Sequence, residues 1–588
     1  MSTERAIDHT LAHWVRARSG SDVLARAAAA ASRDEGLGHV CAALRDEGFS
    51  DADLAGLRAH AWVNEGGQFA PFVLDAQDNF YSWRNWRHET GVAHAVHARA
   101  QARTLPLAQN LLAADIGELF DGSDAAATRW QRVAVAAAPG SRIFVLTGGP
   151  GTGKTTTALR MLAMLLRHAP ACGLPEKPAI ALAAPTGKAA QRLAAAIASG
   201  TRDLREQLAP GSAFASLLDQ IADVQAQTLH RLLGFRPHDN TFARGPGSPL
   251  TADIVVVDEV SMIDIAMMRQ LLDALRPDAM LILLGDPGQL YAIEAGSVLG
   301  DIVASVGENA FPQSLAKSMA LVLTVPLAES DAPLAGQIVT LTHVWRAGSR
   351  LQTALDALRR GNAVWLDAFL TDGGDDSLCL RACADAAALR TRVETWIEAH
   401  DVFADLMRPR IAPEVALQRL REIQILCALR DSAFGASGIN ALIARTLAQR
   451  CGFNADDTWF HGRPVIVTRN DYTRDLYNGD VGIALQGAEG LRVWFDTGSS
   501  LRSFSPRTLP THETAWAITI HRSQGSEYRD VAVALPPDAD SRILSRELLY
   551  TAVSRATRSA EIWTSAAALR AAADRQVQRR GGLRSRLG

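Results

Sequence analysis

Lysine is nearly absent from this chain. Only four of its 60 basic residues are lysine, namely Lys154, Lys177, Lys188 and Lys317, so arginine is the default cation. A lysine is then expected where a compact ammonium serves and a planar guanidinium does not. Cysteine is also sparse: Cys41, Cys172, Cys379, Cys383, Cys427 and Cys451 in 588 residues form neither a disulfide framework nor paired CxxC knuckles, which fits a reducing compartment. Cys379 and Cys383 would share one helical face, yet no second pair in ligand spacing accompanies them, so no metal site is expected there. No run of about 18 apolar residues occurs, and the polar start MSTERAIDHT has no charged n-region followed by an apolar stretch, so neither a span nor a secretory leader is expected. The expected location is cytoplasmic. Surplus positive charge is missing too: 60 basic against 63 acidic residues leave a net charge of -3. That excludes binding to nucleic acid or membrane through bulk charge, and leaves local basic grooves open.

What is present is 48% hydrophobic residues, enough for several cores, or three to four domains at roughly 150 residues each. Residues 1–110 read as a mainly helical domain, with Ala-rich stretches at 24–33 and 41–57 carrying apolar positions at helical spacing. Their aromatic cluster Phe80, Tyr81, Trp83 and Trp86 suits a partner surface, an ordinary core hairpin or helix being the other reading. From residue 141 the texture changes. IFVLTG, AIALAAPTG (179–187), IVVVDE (254–259) and MLILLGD (280–286) are short apolar runs ending in small or polar residues, as buried parallel strands do. A second set begins near Glu422 with EIQILCAL, followed by RPVIVTRND and by VAVALP from Val531. The expected fold class is therefore α/β with two lobes, 111–340 and 341–588. Residues 460–512, with short β-branched runs broken by NGD and AEG, read as a small antiparallel barrel inserted in the second lobe. Residues 302–340 read as a surface insertion, and the basic tail 575–588 as disordered.

Gly148, Gly149, Pro150, Gly151, Thr152, Gly153, Lys154 and Thr155 form the pattern G-x-x-x-x-G-K-[ST] between a strand and a helix-forming stretch that opens with Thr156. The glycines let backbone N–H groups turn toward phosphates, Lys154 reaches the β and γ oxygens, and Thr155 ligates magnesium. Asp258 and Glu259 end the strand IVVVDE, where the first carboxylate would hold the magnesium ion and the second would orient and deprotonate the attacking water. Gln289 in GDPGQL can donate to a γ-phosphate and accept from that water.

In fixed order over residues 130–558 stand WQRVAVAAA, TGGPGTGKTTT, APTGKAAQRL, TLHRLLGF, VVVDEVSMID, LLGDPGQLYAIEAGSVLGDI, LTHVWR, LCALRDSAFGASGIN, RPVIVTRND, AWAITIHRSQGSEY and LLYTAVSRATR. This series resembles superfamily one helicases and, in detail, the RecD family of alpha subunits of exodeoxyribonuclease V, the RecBCD helicase-nuclease. The resemblance implies two RecA-like P-loop lobes, an SH3-like insert and an N-terminal helical docking domain. It implies ATP and Mg2+ as cofactors, Gln131 reading the adenine, Gln289 coupling phosphate state to DNA, and Arg346 and Arg555 acting as arginine fingers, with Arg558 a weaker candidate. It implies that single-stranded DNA crosses both lobes, with Pro185, Thr186, Lys188, Thr228, His230, Thr519, His521, Ser523 and Gln524 as DNA-contacting or coupling positions. It further implies 5′ to 3′ translocation on DNA ends in double-strand-break repair and recombination, in a heterotrimer with RecB-like (beta) and RecC-like (gamma) subunits. The nuclease is expected in the beta subunit, because no separate carboxylate and lysine constellation for it stands in this chain. Gly288 and Ala347 depart from the family pattern, which usually has an acidic residue and an aromatic there. A stand-alone RecD-like helicase and a non-motor regulatory ATPase are the alternatives.

Overall fold

The computed structural model describes residues 5–100, 107–323, 326–345, 349–471, 473–488, 490–497 and 500–588. Two parallel sheets dominate it. The first has six strands in the order Ile338–Leu341, Ile143–Gly148, Met280–Gly285, Ile254–Val257, Ile180–Ala184, Ala226–Thr228. Its three central strands are buried along their whole length, which is why they read as unbroken Val, Ile and Leu runs instead of alternating ones. The second has five: Leu378–Ala382, Ala556–Thr564, Tyr528–Ala534, Ile423–Cys427 and Ala517–Thr519. Residues 464–514 form a separate five-stranded antiparallel sheet around a small core of Val465, Val467, Ala484, Val493 and Phe495. Among the described residues no helix is long and apolar enough to cross a membrane.

Four sequence expectations change. Residues 302–340 are no surface insertion: Phe311 and Met319 lie in the core of the first sheet, and the segment ends in the strand Ile338–Leu341 paired beside Ile143–Gly148. That edge strand is held by a side chain, since Asn309 Nδ2 donates to the Thr340 carbonyl at 3.1 Å and Asn309 Oδ1 accepts from Thr340 N at 2.7 Å. A strand completed by one distant carboxamide leaves no periodic signal.

The tail is ordered. Val40 N donates to the Arg580 carbonyl at 2.7 Å, Arg579 donates to the carbonyls of Ala292 and Glu294, and Leu583 and Leu587 of the helix Leu583–Leu587 are buried against the first sheet's core. Its partners lie about half the chain or more away in sequence, so composition alone reads it as free.

The N-terminal unit is not purely helical. It carries a four-stranded sheet, Ala42–Ala43, Asn79–Ser82, Phe72–Leu74, Val63–Asn64, and the aromatic cluster supplies its core: Phe80 and Tyr81 have no exposure and Trp86 has 8%. Cys379 lies in a strand and not on a helical face. The helix Trp83–Ala100 leaves that unit and packs Val92, Val96 and Ala100 into the first lobe's core.

Candidate functional site

The strand Ile143–Gly148 runs into a loop that wraps the start of the helix Lys154–Arg167. Gly148 and Gly153 take φ of 156° and 83°, and a Cβ on either would meet Thr152 Oγ1 or Gln131 Nε2 at 2.6 Å. Only glycine allows that turn and that close approach. Lys154 Nζ donates to the carbonyls of Gly148 and Gly149 at 2.7 and 3.1 Å, and Gln131 Nε2 donates to the Thr152 carbonyl at 3.2 Å.

A cavity of about 270 Å³ opens above this loop, between the two parallel sheets. Residues 150–156, Asp258, Glu259 and Gln289 of the first lobe line it together with Ser554 and Arg555 of the second. Asp258 follows the strand Ile254–Val257, and its Oδ1 accepts from Glu259 N at 2.8 Å. Glu259 sits in the left-handed region at φ 53°, a conformation uncommon for a residue other than glycine. Burial and the Glu259 charge push the Asp258 carboxyl up to about 6, against the pull of Lys154.

Arg555 is 3% exposed. Its Nη2 donates to Gln289 Oε1, its Nε to the Thr551 carbonyl at 3.1 Å and its Nη1 to the Ser526 carbonyl at 3.3 Å. Burial lowers its pKa, with Glu259 and other acids opposing. Gln289 Nε2 in turn donates to Asp286 Oδ2, which also accepts from Tyr550 Oη at 2.9 Å. Leu290 completes the junction: its N–H donates to Thr551 Oγ1 at 2.8 Å and its carbonyl accepts from Gln524 Nε2 at 3.1 Å. Gly288 donates to Asp286 Oδ1 at 3.0 Å, and a Cβ there would lie 3.3 to 3.4 Å from Asp286, Arg359 and Tyr550. The departure from the family pattern at that position therefore sits inside a tight interlobe contact.

Arg346, with Ala347, lies outside the described residues. Its neighbour Trp345 bonds the phosphate loop through its backbone, N to Gly151 O at 2.9 Å. Arg558 instead grips the buried Asp530 with two bonds, of 2.7 and 2.6 Å, and so does not face the cavity.

The expected DNA-contacting positions divide. Pro185 and Thr186 follow the strand Ile180–Ala184, Thr186 capping the helix Gly187–Gln207. Thr228 caps the next short helix and the His230 ring sits against Phe235, centroids 5.2 Å apart. Lys188 Nζ lies 5.6 Å from the Tyr528 ring across the lobes. Thr519 ends the strand Ala517–Thr519 and His521 follows in a short turn. Burial lowers the pKa of both His230 and His521. Ser523 and Gln524 face inward: Ser523 has no exposure and bonds the Ile520 carbonyl, and Gln524 is spent on Leu290. Neither side chain reaches a surface: the Gln524 bond joins the lobes, and the Ser523 bond closes its own short turn.

Sequence reading missed two cavity residues, Arg192 and Glu527. They form an ion pair between the lobes. Each stands in a legible motif, Arg192 one turn after Lys188 in APTGKAAQRL and Glu527 at the end of HRSQGSE, but their pairing shows only once the lobes meet.

Phosphate loop, paired acids and a second-lobe arginine around one interlobe cavity define the nucleotide site of a two-lobed P-loop ATPase. Family models agree along the chain, an AAA domain over residues 131–295 and a UvrD-like helicase C-terminal domain over 514–561. The chain is 38% identical over 523 residues to the RecBCD enzyme subunit RecD of Mycobacterium tuberculosis, covering 88% of this chain and 82% of that one. It is 32% identical over 540 residues to the subunit of the same name from Haemophilus influenzae, covering 88% and 81%. It is 30% identical over 440 residues to the ATP-dependent RecD2 DNA helicase of Deinococcus radiodurans, covering 73% of this chain and 48% of that one. The chain belongs to the RecD family.

Proposed function

We propose that this chain is the helicase subunit of a RecBCD-type helicase-nuclease, translocating 5′ to 3′ on single-stranded DNA at broken ends, with RecB-like and RecC-like partners and the nuclease in the beta subunit. The observation that carries the motor reading is Arg555, which comes from the second lobe, lines the same cavity as Lys154, and is bonded to Gln289. In that arrangement hydrolysis and lobe position are one equilibrium.

Lys154 and the loop N–H groups hold the β and γ phosphates. The donor set fits magnesium: the Thr155 hydroxyl and the Asp258 carboxylate are hard oxygen ligands lining the same cavity, and a bound ion would neutralise phosphate charge. Glu259 takes the proton of the attacking water. Arg555 meets charge spreading over the γ-phosphate oxygens, Arg346 is the second finger, and Gln289 passes phosphate state to the DNA side. Gln131 reads the adenine. Pro185, Thr186, Lys188, Thr228, His230, Thr519 and His521 track the strand through its phosphates, without base readout.

The domain reading follows: residues 1–110 dock a partner, 111–340 and 341–588 are the RecA-like lobes, and the antiparallel sheet of 464–514 is the SH3-like insert. A stand-alone helicase fits less well, because the chain matches the RecD subunit relative at 38% identity over 88% of its length and the RecD2 relative at 30% over 73%. Steady-state ATPase with and without single-stranded DNA, and strand displacement from 5′ and 3′ overhangs, test the reading. No DNA stimulation would favour the regulatory ATPase, and co-purification with neighbouring subunits separates subunit from stand-alone enzyme.

A further inference from the structure

The cleft between the lobes is bracketed by two attachments of different character. On one wall Asp286 and Leu290 meet Tyr550, Thr551 and Gln524 through several buried hydrogen bonds. On the other, Arg192 of the helix Gly187–Gln207 meets Glu527, whose side chains are 44% and 25% exposed. The same two residues also line a second interlobe cavity of about 490 Å³, which Lys188 and Tyr528 line as well. The ion pair is thus the partition between the nucleotide cavity and a cavity reaching toward the expected DNA side. Lys188, one turn before Arg192, lies over Tyr528, the residue after Glu527, so one helix face meets one short segment of the opposite lobe. Burial works against the Arg192 charge, but Glu527, Glu259 and Asp258 outweigh it and raise its pKa.

We propose that Arg192 and Glu527 are positioning residues that form a releasable latch across the cleft, setting how the lobes close on nucleotide while the buried wall acts as the hinge. A half-exposed ion pair contributes little at equilibrium. It can therefore break and re-form at each turnover, where the buried wall cannot without stranding several polar groups. This rests on the motor reading above, in which lobe closure and hydrolysis are linked.

The test uses the full chain as Arg192→Gln, Glu527→Gln, the double variant and Arg192→Lys. In nucleotide-free protein, hydrogen exchange in the loop 523–527 should quicken by about fivefold in either single Gln variant, by no more in the double, and return most of the way with Arg192→Lys. The KM for ATP should rise by about the same factor with kcat nearly unchanged. Wild-type exchange and KM in both single variants, or additive effects in the double, would overturn the latch. Absent DNA stimulation in the wild type would sink the motor reading instead, and the nucleotide-free exchange would still decide whether the pair holds the cleft.

Discussion

Replacing Arg586 by Met should detach the C-terminal tail, and the size of the effect follows from the burial of its partner. Glu89 has no exposure and accepts from Arg586 Nε at 2.9 Å, from Gly582 N at 2.8 Å and from Tyr81 Oη at 3.2 Å. The Arg586 guanidinium also lies 4.1 Å from the Trp86 ring centroid. Methionine keeps the apolar stem and removes the charge, leaving a buried carboxylate without its cation, which costs about 3–5 kcal/mol. Expressed as a local opening equilibrium, that is roughly two to almost four decades. The sign with pH is fixed by the acid. Burial already raises the Glu89 pKa, and Arg586 is the main force opposing it. Without Arg586 the folded-state pKa rises further, so the penalty is absent below the unfolded value near 4 and grows as pH rises toward the folded value. Native-state hydrogen exchange of residues 582–588 and 39–40 reads the opening, corrected for intrinsic rates. The expected result is a large increase at pH 8, a much smaller one at pH 5, and recovery of most protection in Glu89→Gln/Arg586→Met. Less than about a tenfold increase at pH 8, against the cost expected for a stranded charge, would refute the reasoning. So would a double variant no better protected than Arg586→Met.

Lys154→Ala should cut ATP turnover by at least about a hundredfold with little change in the thermal melt, because its ammonium bonds only two loop carbonyls; turnover at the wild-type rate would sink the phosphate-loop assignment. Asp258→Asn should stabilise the nucleotide-free chain at pH 8 and not at pH 4. The carboxyl is pushed up to about 6, so wild-type stability falls as pH rises through the window between roughly 4 and 6, and the amide escapes that loss. Denaturant melts at the two pH values check it, and equal stability at pH 8 would contradict it. Removing residues 1–110 should damage the motor as well as any assembly, because it takes away Val92, Val96 and Ala100 of the first lobe's core and Arg99, which bonds three carbonyls there. A cut before Trp83 should leave a folded chain, and circular dichroism with size exclusion separates the two.

The legible parts of this molecule share one physical property: their chemistry is local. Residues 148–155 are a phosphate loop by spacing alone, and the four long strands of the first sheet are unbroken apolar runs because both faces are covered. Asp258, Glu259 and Gln289 stand at strand ends, where function collects in parallel sheets. What could not be read depends on partners far away in sequence. The strand Ile338–Leu341 needs Asn309, the tail needs Glu89 and His39, and the Arg192–Glu527 pair needs the lobes already docked. Aromatic content misled for a related reason. Phe80 and Trp86 have the size of interface anchors, and nothing short of the folded sheet reveals that Phe80 stacks on Phe72 at 5.1 Å inside the unit.

The scarcity of lysine takes on meaning in these contacts. Arg99 bridges the carbonyls of Leu275, Arg276 and Ala279, Arg575 those of Ala539 and Ser541, and Arg579 those of Ala292 and Glu294. Each joins segments distant in sequence by donors fixed in one plane and spread over three nitrogens, a wider reach than the single nitrogen of an ammonium has. A folded chain built on such staples gains rigidity from arginine wherever backbone must be tied to backbone. The phosphate loop requires the opposite property. There Lys154 rests on two carbonyls of its own loop, contacts an anion can replace without any plane having to turn. The same composition that stiffens the frame thus keeps a lysine at position 154, where the charge must be compact and its bonds exchangeable.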